Sequence, residues 1–267
     1  MAESKYAEIV LSCVEEKPFK AEVVSEYHTL VHVLSGEMKM VQTDHSYVFT
    51  EGDILLVPRN QLCAVIKRPT NGNPYKSIAV TFRPERLTDY YAQKKITIQQ
   101  PSVQKLRTFA RNALLDSYFS SILSYFEMKS ELPDEIALLK IQEGISILRS
   151  IDKEVDSLLA DFSEPGKINL AEFMEKNFMF NMPLQKFSYL TGRSVATFNR
   201  DFRKIFHTTP QRWLTQKRLE LSHYRLAENK EKPAEVYLEA GFENLSHFSF
   251  AFKKHFGYAP TELRKEA

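Results

Sequence analysis

The C-terminal third of the chain contains one aromatic pattern twice, at an offset of fifty residues. The phenylalanines and proline of the first copy recur in the second: Phe198, Phe202, Phe206 and Pro210 match Phe248, Phe252, Phe256 and Pro260. Phenylalanines spaced four apart lie on one face of an α-helix. Ser194 and Asn244 stand just before the two runs, and both residue types cap helix N-termini by accepting a backbone N–H bond. The repeat therefore predicts two equivalent helices, each capped at its start and buried along its aromatic face.

A shorter apolar segment precedes each capped helix. Leu184 to Leu190 in the first copy and Ala234 to Ala240 in the second are predicted to be helical, and Gly192 or Gly241 follows in a tight turn. Helix, turn and second helix make up the helix-turn-helix motif, whose second helix enters the DNA major groove. The chain is therefore predicted to carry two helix-turn-helix units.

The helix face opposite the phenylalanines indicates what these helices contact. In the first copy it carries Ala196, Asn199, Arg200 and Arg203. Arginine binds guanine, and asparagine binds adenine, through paired hydrogen bonds in the major groove. A basic face can also be a plain solvated surface, but its occurrence in a segment repeated at a fixed offset favours DNA binding. The predicted DNA-binding residues are Ser194, Ala196, Asn199, Arg200, Arg203, Lys204, Asn244, Leu245, Ser246, Ser249, Phe250, Lys253 and Lys254.

These segments carry a family resemblance. SVATFNRDFRKIF, at residues 194–206, and AGFENLSHFSFAFKKHFGYAP, at 240–260, resemble the DNA-binding domain of the AraC/XylS family of bacterial transcription regulators. The resemblance covers the last third of the chain. It implies a domain of seven helices, in which a long helix from Gln211 to Glu228 joins two helix-turn-helix units that insert into successive major grooves.

Three residues depart from the family pattern. His207 stands where the first copy usually has glycine, and Ser222 stands where the linker helix usually has alanine. Both departures bear on local packing. Phe250 stands where arginine or another polar residue is common. Since phenylalanine offers no hydrogen bond to a base edge, the second helix-turn-helix is predicted to discriminate bases less than the first.

Charge is divided unevenly along the chain. From Pro165 onward there are 17 Lys and Arg against 11 Asp and Glu, whereas the preceding part has 19 against 23. The basic part is the one predicted to bind DNA, because phosphates attract such charge. Residues 163–166, Ser-Glu-Pro-Gly, interrupt the helical period, and Asn169 is predicted to cap the next helix. The predicted organisation is a sensory and dimerisation domain over 1–160, a linker over 161–168 and an AraC-type DNA-binding domain over 169–267.

The first domain begins with short β-rich runs from about Ala21 to Phe82, separated by Gly, Asn, Asp and Pro, a spacing typical of a small antiparallel barrel or sandwich. The order of strands and turns resembles the cupin-like sensory domain of many AraC/XylS proteins. A β-barrel is predicted over about 8–85, followed over about 102–158 by helices from Ser102 to Met128 and from Pro133 to Ile151. The predicted fold class is α+β, with an N-terminal cupin-like β-barrel and following helices, and a C-terminal all-α domain with two helix-turn-helix units.

The barrel interior has two interpretations that the sequence leaves open. Small barrels are filled by their own side chains, but Tyr27, His28, His32 and Tyr47 combine apolar bodies with polar tips, as ligand pockets do. On a strand, the even spacing of His28 and His32 puts both on one face. A cupin metal site resembles His-x-His followed by Glu, a spacing that this sequence lacks, and a mononuclear site needs three or more ligands. No metal, cofactor or catalytic residue is predicted.

The sequence indicates a cytoplasmic protein, since it has two cysteines, no signal peptide and no apolar run of about 20 residues. The predicted function is that of a sequence-specific transcription activator that binds double-stranded promoter DNA, works with RNA polymerase and has no membrane contact. Its first domain is predicted to respond to a small-molecule or protein effector, and its helices to form a homodimer or simply to pack on the barrel. The alternatives are a cupin-type metal enzyme with a basic C-terminal appendage, and a regulator controlled by a protein partner instead of a small molecule.

Overall fold

The computed structural model describes residues 2–6, 8–43, 45–94, 105–128 and 133–263. The chain divides into two compact units, Met1–Ser163 and Glu164–Ala267. The first unit combines β-sheets with helices, and the second is helical. None of the helices in these ranges is both long and apolar enough to cross a membrane.

The first unit is built on antiparallel strands. Those in the described ranges are β1 (Ala2–Tyr6), β2 (Ile9–Val14), β3 (Phe19–Ser25), β4 (His28–Ser35), β5 (Glu37–Val41), β6 (Ser46–Thr50), β7 (Ile54–Val57), β8 (Gln61–Arg68), β9 (Tyr75–Phe82) and β10 (Arg107–Phe109). They form a six-stranded sheet, in the order β1-β2-β9-β4-β7-β10, and a four-stranded sheet, in the order β3-β8-β5-β6.

The predicted antiparallel β-fold is confirmed, but the described strands form two sheets and do not close into one barrel. The edges are β1 and β10 in the larger sheet and β3 and β6 in the smaller one. The two sheets meet at Val33 of β4, whose backbone exchanges hydrogen bonds with Gly52 and Asp53 in the turn after β6. These bonds join a strand to a turn instead of pairing two edges, so the fold is an open sandwich.

The larger sheet lies between two apolar layers. Successive side chains of a strand point to opposite faces, so Leu30 and Ile78 pack with the helices of this unit while Val31 faces the smaller sheet. His28 and His32 alternate with Leu30 on the same face. The prediction that the two histidines share one face is therefore confirmed, and that face is the one covered by helices.

Four helices of the first unit lie in the described ranges: α1 (Pro84–Lys94), α2 (Ala113–Glu127), α3 (Asp134–Ile151) and α4 (Val155–Leu159). The predicted helix from Ser102 to Met128 is wrong in its first part. There β10 pairs with β7, and Asn112 caps α2 by accepting a hydrogen bond from the Leu114 N–H. Residues 101–104 lie outside the described residues.

Helices α3 and α1 each bury a face of regularly spaced apolar residues. The helix predicted from Pro133 to Ile151 is confirmed as α3, whose Ile141, Ile145 and Leu148 stand at steps of three and four and are buried in the core. Helix α1 was not predicted, although Leu87 and Tyr91 have helical spacing and are buried as well. Charged and polar residues make up most of α1, so its few apolar residues give only a weak helical pattern in the sequence.

The described part of the second unit is built from helices joined by loops. Its helices among residues 164–263 are α5 (Leu170–Asn177), α6 (Leu184–Leu190), α7 (Val195–Phe206), α8 (Pro210–Ala227), α9 (Pro233–Glu239) and α10 (Leu245–Phe256). The predicted bounds of α6, α8 and α9 are confirmed to within one residue, and Asn169 caps α5 as predicted. These are six helices in place of the seven that the family resemblance implies, and the residues after Leu263 lie outside the described residues.

Helix α8 contributes to two separate cores. Trp213 packs with the phenylalanines of α7, and Leu219 and Leu226 pack with those of α10. Ser222 is fully buried, and its hydroxyl donates to the Arg218 carbonyl at 2.7 Å. A serine therefore fits where the family usually has alanine, because its polar group is satisfied.

Candidate nucleic-acid interface

Helices α7 and α10 each begin at a capped and exposed end. Ser194 Oγ accepts a hydrogen bond from the Thr197 N–H at 3.2 Å, and Asn244 Oδ1 accepts one from the His247 N–H at 2.7 Å. Both predicted caps are confirmed. Leu245, in the first turn of α10, is 40% exposed. We call α7 and α10 the recognition helices.

The two recognition helices end differently. His207 closes α7 in the left-handed region with φ of 55°, where the second copy has Gly257 with φ of 89°. Each residue donates its backbone N–H to the carbonyl four positions earlier, Arg203 or Lys253. The departure at His207 therefore keeps the family's turn, at the steric cost of a side chain in a conformation that glycine adopts freely.

The outer face of α7 presents most of the predicted residues to solvent. Ala196, Arg200, Arg203 and Lys204 are exposed. Asn199 is half-buried, and its Nδ2 donates to the Val195 carbonyl at 2.9 Å, within the same helix. This bond occupies one of the two Nδ2 hydrogens and turns the amide along its own helix. Arg200, which is exposed, is therefore the better placed of the two predicted base readers.

An acidic residue holds Arg200 at the base of this face. Arg200 Nε lies 3.5 Å from Asp201 Oδ1, and Asp201 Oδ2 accepts a hydrogen bond from Arg193 Nε at 3.2 Å. That hydrogen bond, with the positive charges of Lys167, Arg200 and Arg193, lowers the pKa of the Asp201 carboxyl. The ionised Asp201 thus ties α7 to the turn before it and anchors one side of the Arg200 guanidinium.

The outer face of α10 has a different character. Ser246, Lys253 and Lys254 are exposed, and Ser249 is half-buried. Phe250 is 68% exposed, so its ring does not pack under the linker helix. An exposed phenyl ring can contact a thymine methyl group but donates no hydrogen bond.

Exposed residues outside the predicted set extend this surface. His247 and His255 lie on α10, and His255 borders a groove of about 290 Å³ that Arg212 and Gln216 of α8 also line. The fifty-residue offset pairs His247 with Thr197, so a comparison of the two copies could have drawn attention to it. No sequence pattern marks Arg212.

The first unit contains a cavity of about 430 Å³ between its two sheets. Alternate residues of the facing strands line it, among them Thr29 and Val31 of β4. The prediction of its lining is wrong, because none of the four candidate residues lines this cavity. His28 and His32 lie on the opposite face of β4, and neither Tyr27 nor Tyr47 lines the cavity.

Both histidines of β4 are engaged by the fold. The backbone N–H of Arg59 donates to His28 Nδ1 at 3.2 Å, and the His32 ring lies 4.8 Å from that of Phe119 between centroids. In the ranges that the structure describes, no group of three or more His, Cys, Asp or Glu residues could hold a metal ion. Cys13 and Cys63 are free thiols, and burial raises the pKa of Cys63 to about 12.

Comparison with known proteins identifies both parts of the chain. Residues 189–266 match the family described as a helix-turn-helix domain, and residues 28–157 match the family described as the ExsA N-terminal regulatory domain. The chain belongs to the AraC/XylS family of transcription regulators.

Three similar proteins illustrate the relationship. The virulence regulon transcriptional activator VirF of Yersinia enterocolitica is 21% identical over 239 residues, which are 87% of each chain. The regulator ExsA of Pseudomonas aeruginosa is 22% identical over 240 residues, which are 87% of this chain and 84% of ExsA. The structure of ToxT from Vibrio cholerae aligns over 97% of this chain and 98% of its own, with 14% identity and a TM-score of 0.41. This AraC-family chain is a transcription regulator with an N-terminal regulatory domain and a C-terminal helix-turn-helix domain, as predicted.

Proposed function

We propose that this AraC-family regulator activates transcription by binding promoter DNA sequence-specifically through α7 and α10. The observation that supports the proposal is the pair of recognition helices, each capped, anchored by the same phenylalanine pattern and exposed on a basic face. Arg200 is assigned to base reading and Arg203, Lys204, Lys253 and Lys254 to phosphates. The other predicted residues complete the contact surface.

The duplicated pattern provides a matched pair of substitutions. Arg200→Ala is expected to weaken binding to the preferred site by about 1–3 kcal/mol and to flatten base preference at one position, because paired hydrogen bonds to guanine carry that discrimination. Lys253→Ala, at the place equivalent to Arg203, should weaken binding to all sequences alike. It should also reduce the slope of log affinity against log salt by about 1, because one phosphate contact is lost.

The measurement begins with selection of bound duplexes from random DNA. Each position of the selected site is then substituted, and affinity is followed by fluorescence anisotropy at several salt concentrations. The strongly discriminating positions should cluster in the half bound by α7. If Arg200→Ala weakens specific and random DNA equally, Arg200 does not read bases. If the other half discriminates more, α10, with Ser246 and Ser249, is the principal reader.

We propose a small molecule as the effector, because the first unit offers a cavity in the size range of ligand pockets. Its lining is mostly apolar, with Lys67 as the one charged side chain among the described lining residues. Lys67 Nζ donates to Ser12 Oγ at 2.7 Å and lies 5.6 Å from the centre of the Tyr75 ring. An effector with an apolar body and one anionic group matches this arrangement, because opposite charges attract strongly where water is excluded.

Two probes with the same ten-carbon length, one with an anionic and one with a neutral head group, test this assignment. Decanoate is expected to raise the unfolding temperature of the first unit, whereas decanol should raise it much less. Lys67→Met, which keeps the apolar stem, should weaken decanoate binding by about tenfold or more, and Lys67→Arg should restore most of it. Calorimetric titration measures both affinities. Equal decanoate affinity in the wild type and Lys67→Met would contradict the role of Lys67. If the effector is a protein instead, neither substitution of Lys67 should alter its binding.

The remaining parts of the proposal concern partners and organisation. We propose that the regulator contacts RNA polymerase, acts in the cytoplasm where its DNA lies, and has no catalytic chemistry or cofactor of its own. Leu139 of α3 is 63% exposed opposite the buried stripe, which supports a homodimer formed through this helix. The proposed domains remain 1–160, 161–168 and 169–267, supported by the division of the chain between Ser163 and Glu164.

A further inference from the structure

A buried arginine in the middle of α8 binds the segment that leads into the first helix-turn-helix. Arg218 is 8% exposed. Its Nε donates to the Phe178 carbonyl at 2.9 Å, and its Nη2 donates to the Phe180 carbonyl at 2.8 Å. Both carbonyls lie in the segment between α5 and α6, which leads into the first helix-turn-helix. The guanidinium therefore fixes the position of that segment relative to α8.

The same guanidinium also reaches the second helix-turn-helix. Nη1 donates to the Gly241 carbonyl, in the turn between α9 and α10, at 3.2 Å, and to Asn181 Oδ1 at 3.4 Å. The turn lies close against the first segment, since a Cβ at Gly241 would be 2.7 Å from the Met179 carbonyl oxygen. One side chain thus binds backbone of the segment before the first helix-turn-helix and of the turn inside the second.

A second contact supports the same junction nearer the surface. Asn181 Nδ2 donates to Glu243 Oε1 at 3.2 Å. Glu243 directly precedes Asn244, the cap of α10. The beginning of the second recognition helix is therefore tied to residues 178–181 by two polar contacts on either side of the turn.

We propose that Arg218 is a positioning residue that fixes the relative placement of α7 and α10, and so determines which spacing between two DNA half-sites this regulator accepts. Guanidinium donors project in a rigid planar fork, so their acceptors are held in one arrangement. Helix α8 packs against both recognition helices, and the bonds of Arg218 add a direct connection between the Gly241 turn and residues 178–181. The base-contacting residues read sequence, and Arg218 acts through the turn to set spacing.

The inference rests on the proposed binding of DNA by both recognition helices, and the experiment separates the two. The full chain is titrated with duplexes that carry both selected half-sites at the selected spacing or with one or two base pairs inserted or removed. The wild type should lose affinity about a hundredfold when the spacing changes, because only one half-site can then be engaged. A wild type that binds the selected half-sites but tolerates every spacing overturns the inference alone, whereas loss of specific binding to any duplex overturns the proposed function.

Arg218→Met keeps the length of the side chain and removes its fork of donors. It should bind the selected spacing about tenfold more weakly than the wild type and the altered spacings almost equally well, with base preference inside each half-site unchanged. Arg218→Lys keeps the charge without the fork and should behave like Arg218→Met. The matched control is Arg225→Met on the same helix, whose guanidinium binds Glu231 in the loop between α8 and α9 at 2.6 and 2.9 Å and does not contact residues 178–181 in the described bonds. It should retain the wild-type spacing preference.

A purely structural role gives a different result. In that case Arg218→Met lowers affinity by one factor at all spacings, and the inference is wrong. Trp213 fluorescence establishes that each variant is folded at the assay temperature. If Arg218→Met does not fold, Glu243→Ala decides the question, because it cuts the parallel contact to Asn181 at an exposed site. Glu243→Ala should relax the spacing preference in the same direction, and an unchanged preference overturns the inference.

Discussion

Alanine at position 192 is expected to destabilise the second unit by about 2–5 kcal/mol. Gly192 forms the turn between α6 and α7 with φ of 64°, a left-handed conformation that costs any other residue free energy. A Cβ there would also lie 2.5 Å from the carbonyl carbon and oxygen of Gly166 and 2.6 Å from the nitrogen of Lys167. These are backbone atoms, which cannot rotate aside, so either the turn or the incoming chain has to move.

The second copy supplies a control that separates strain from crowding. Gly257 has φ of 89°, and a Cβ added to it would meet nothing within 4 Å. Gly257→Ala should therefore cost only the conformational part, about 1–2 kcal/mol. Denaturant unfolding followed by the fluorescence of Trp213, the single tryptophan, measures both losses. If the two substitutions lower the free energy of unfolding equally, the backbone near Gly166 moves away from the added Cβ at little cost.

Lowering the pH from about 6.5 to 4 is expected to remove about 3 kcal/mol of stability from the first unit through His28. Burial lowers the pKa of His28 from 6.5 to about 4, the charge of Arg59 acts in the same direction, and Asp161 opposes them. In the unfolded chain the imidazole keeps its ordinary pKa, so within this window the unfolded state binds a proton that the folded state does not. The free energy of unfolding therefore rises with pH across the window, and the contribution of His28 reaches its full value above about pH 6.5.

His28→Asn isolates this contribution. The asparagine Oδ1 is bonded to Cγ as Nδ1 is, so it can still accept the Arg59 N–H bond, but it does not titrate. The variant should lose most of the pH dependence, and His32, whose pKa is also lowered by burial, should account for part of what remains. Hydrogen exchange of the β4 amides is the appropriate measurement, because Trp213 lies in the other unit. Identical pH profiles for the variant and the wild type would show that His28 is readily protonated in the folded state.

The helical second unit was predictable because its signals are local. Ser194 and Asn244 mark helix starts, and Phe198 and Phe202 mark one helix face, all within a few residues of the structure that they specify. Duplication strengthened the prediction further, since each copy checks the other. The exposure of Phe250 could not be decided in this way, because its helix position allows both an exposed and a covered ring.

The rest of the molecule depends on pairing between distant residues. Alternation predicts that His28 and His32 share a face, but which layer covers that face depends on how two sheets and several helices assemble. Closure of a barrel likewise depends on whether edge strands such as β3 and β10 find partners. Arg218 gives no signal at all, because its acceptors are backbone carbonyls, which every residue possesses.

The shared helix α8 has a consequence for how promoters are occupied. In the proposed mode of binding, once α7 holds its half-site, α10 meets the neighbouring one at an effective local concentration set by the connection between them, not by the number of regulator molecules in the cell. Such linkage raises the overall avidity by factors of about 10²–10⁴ without any additional contact. A half-site under α10 therefore needs little sequence information of its own, and mutations that erode it can accumulate while the promoter stays occupied.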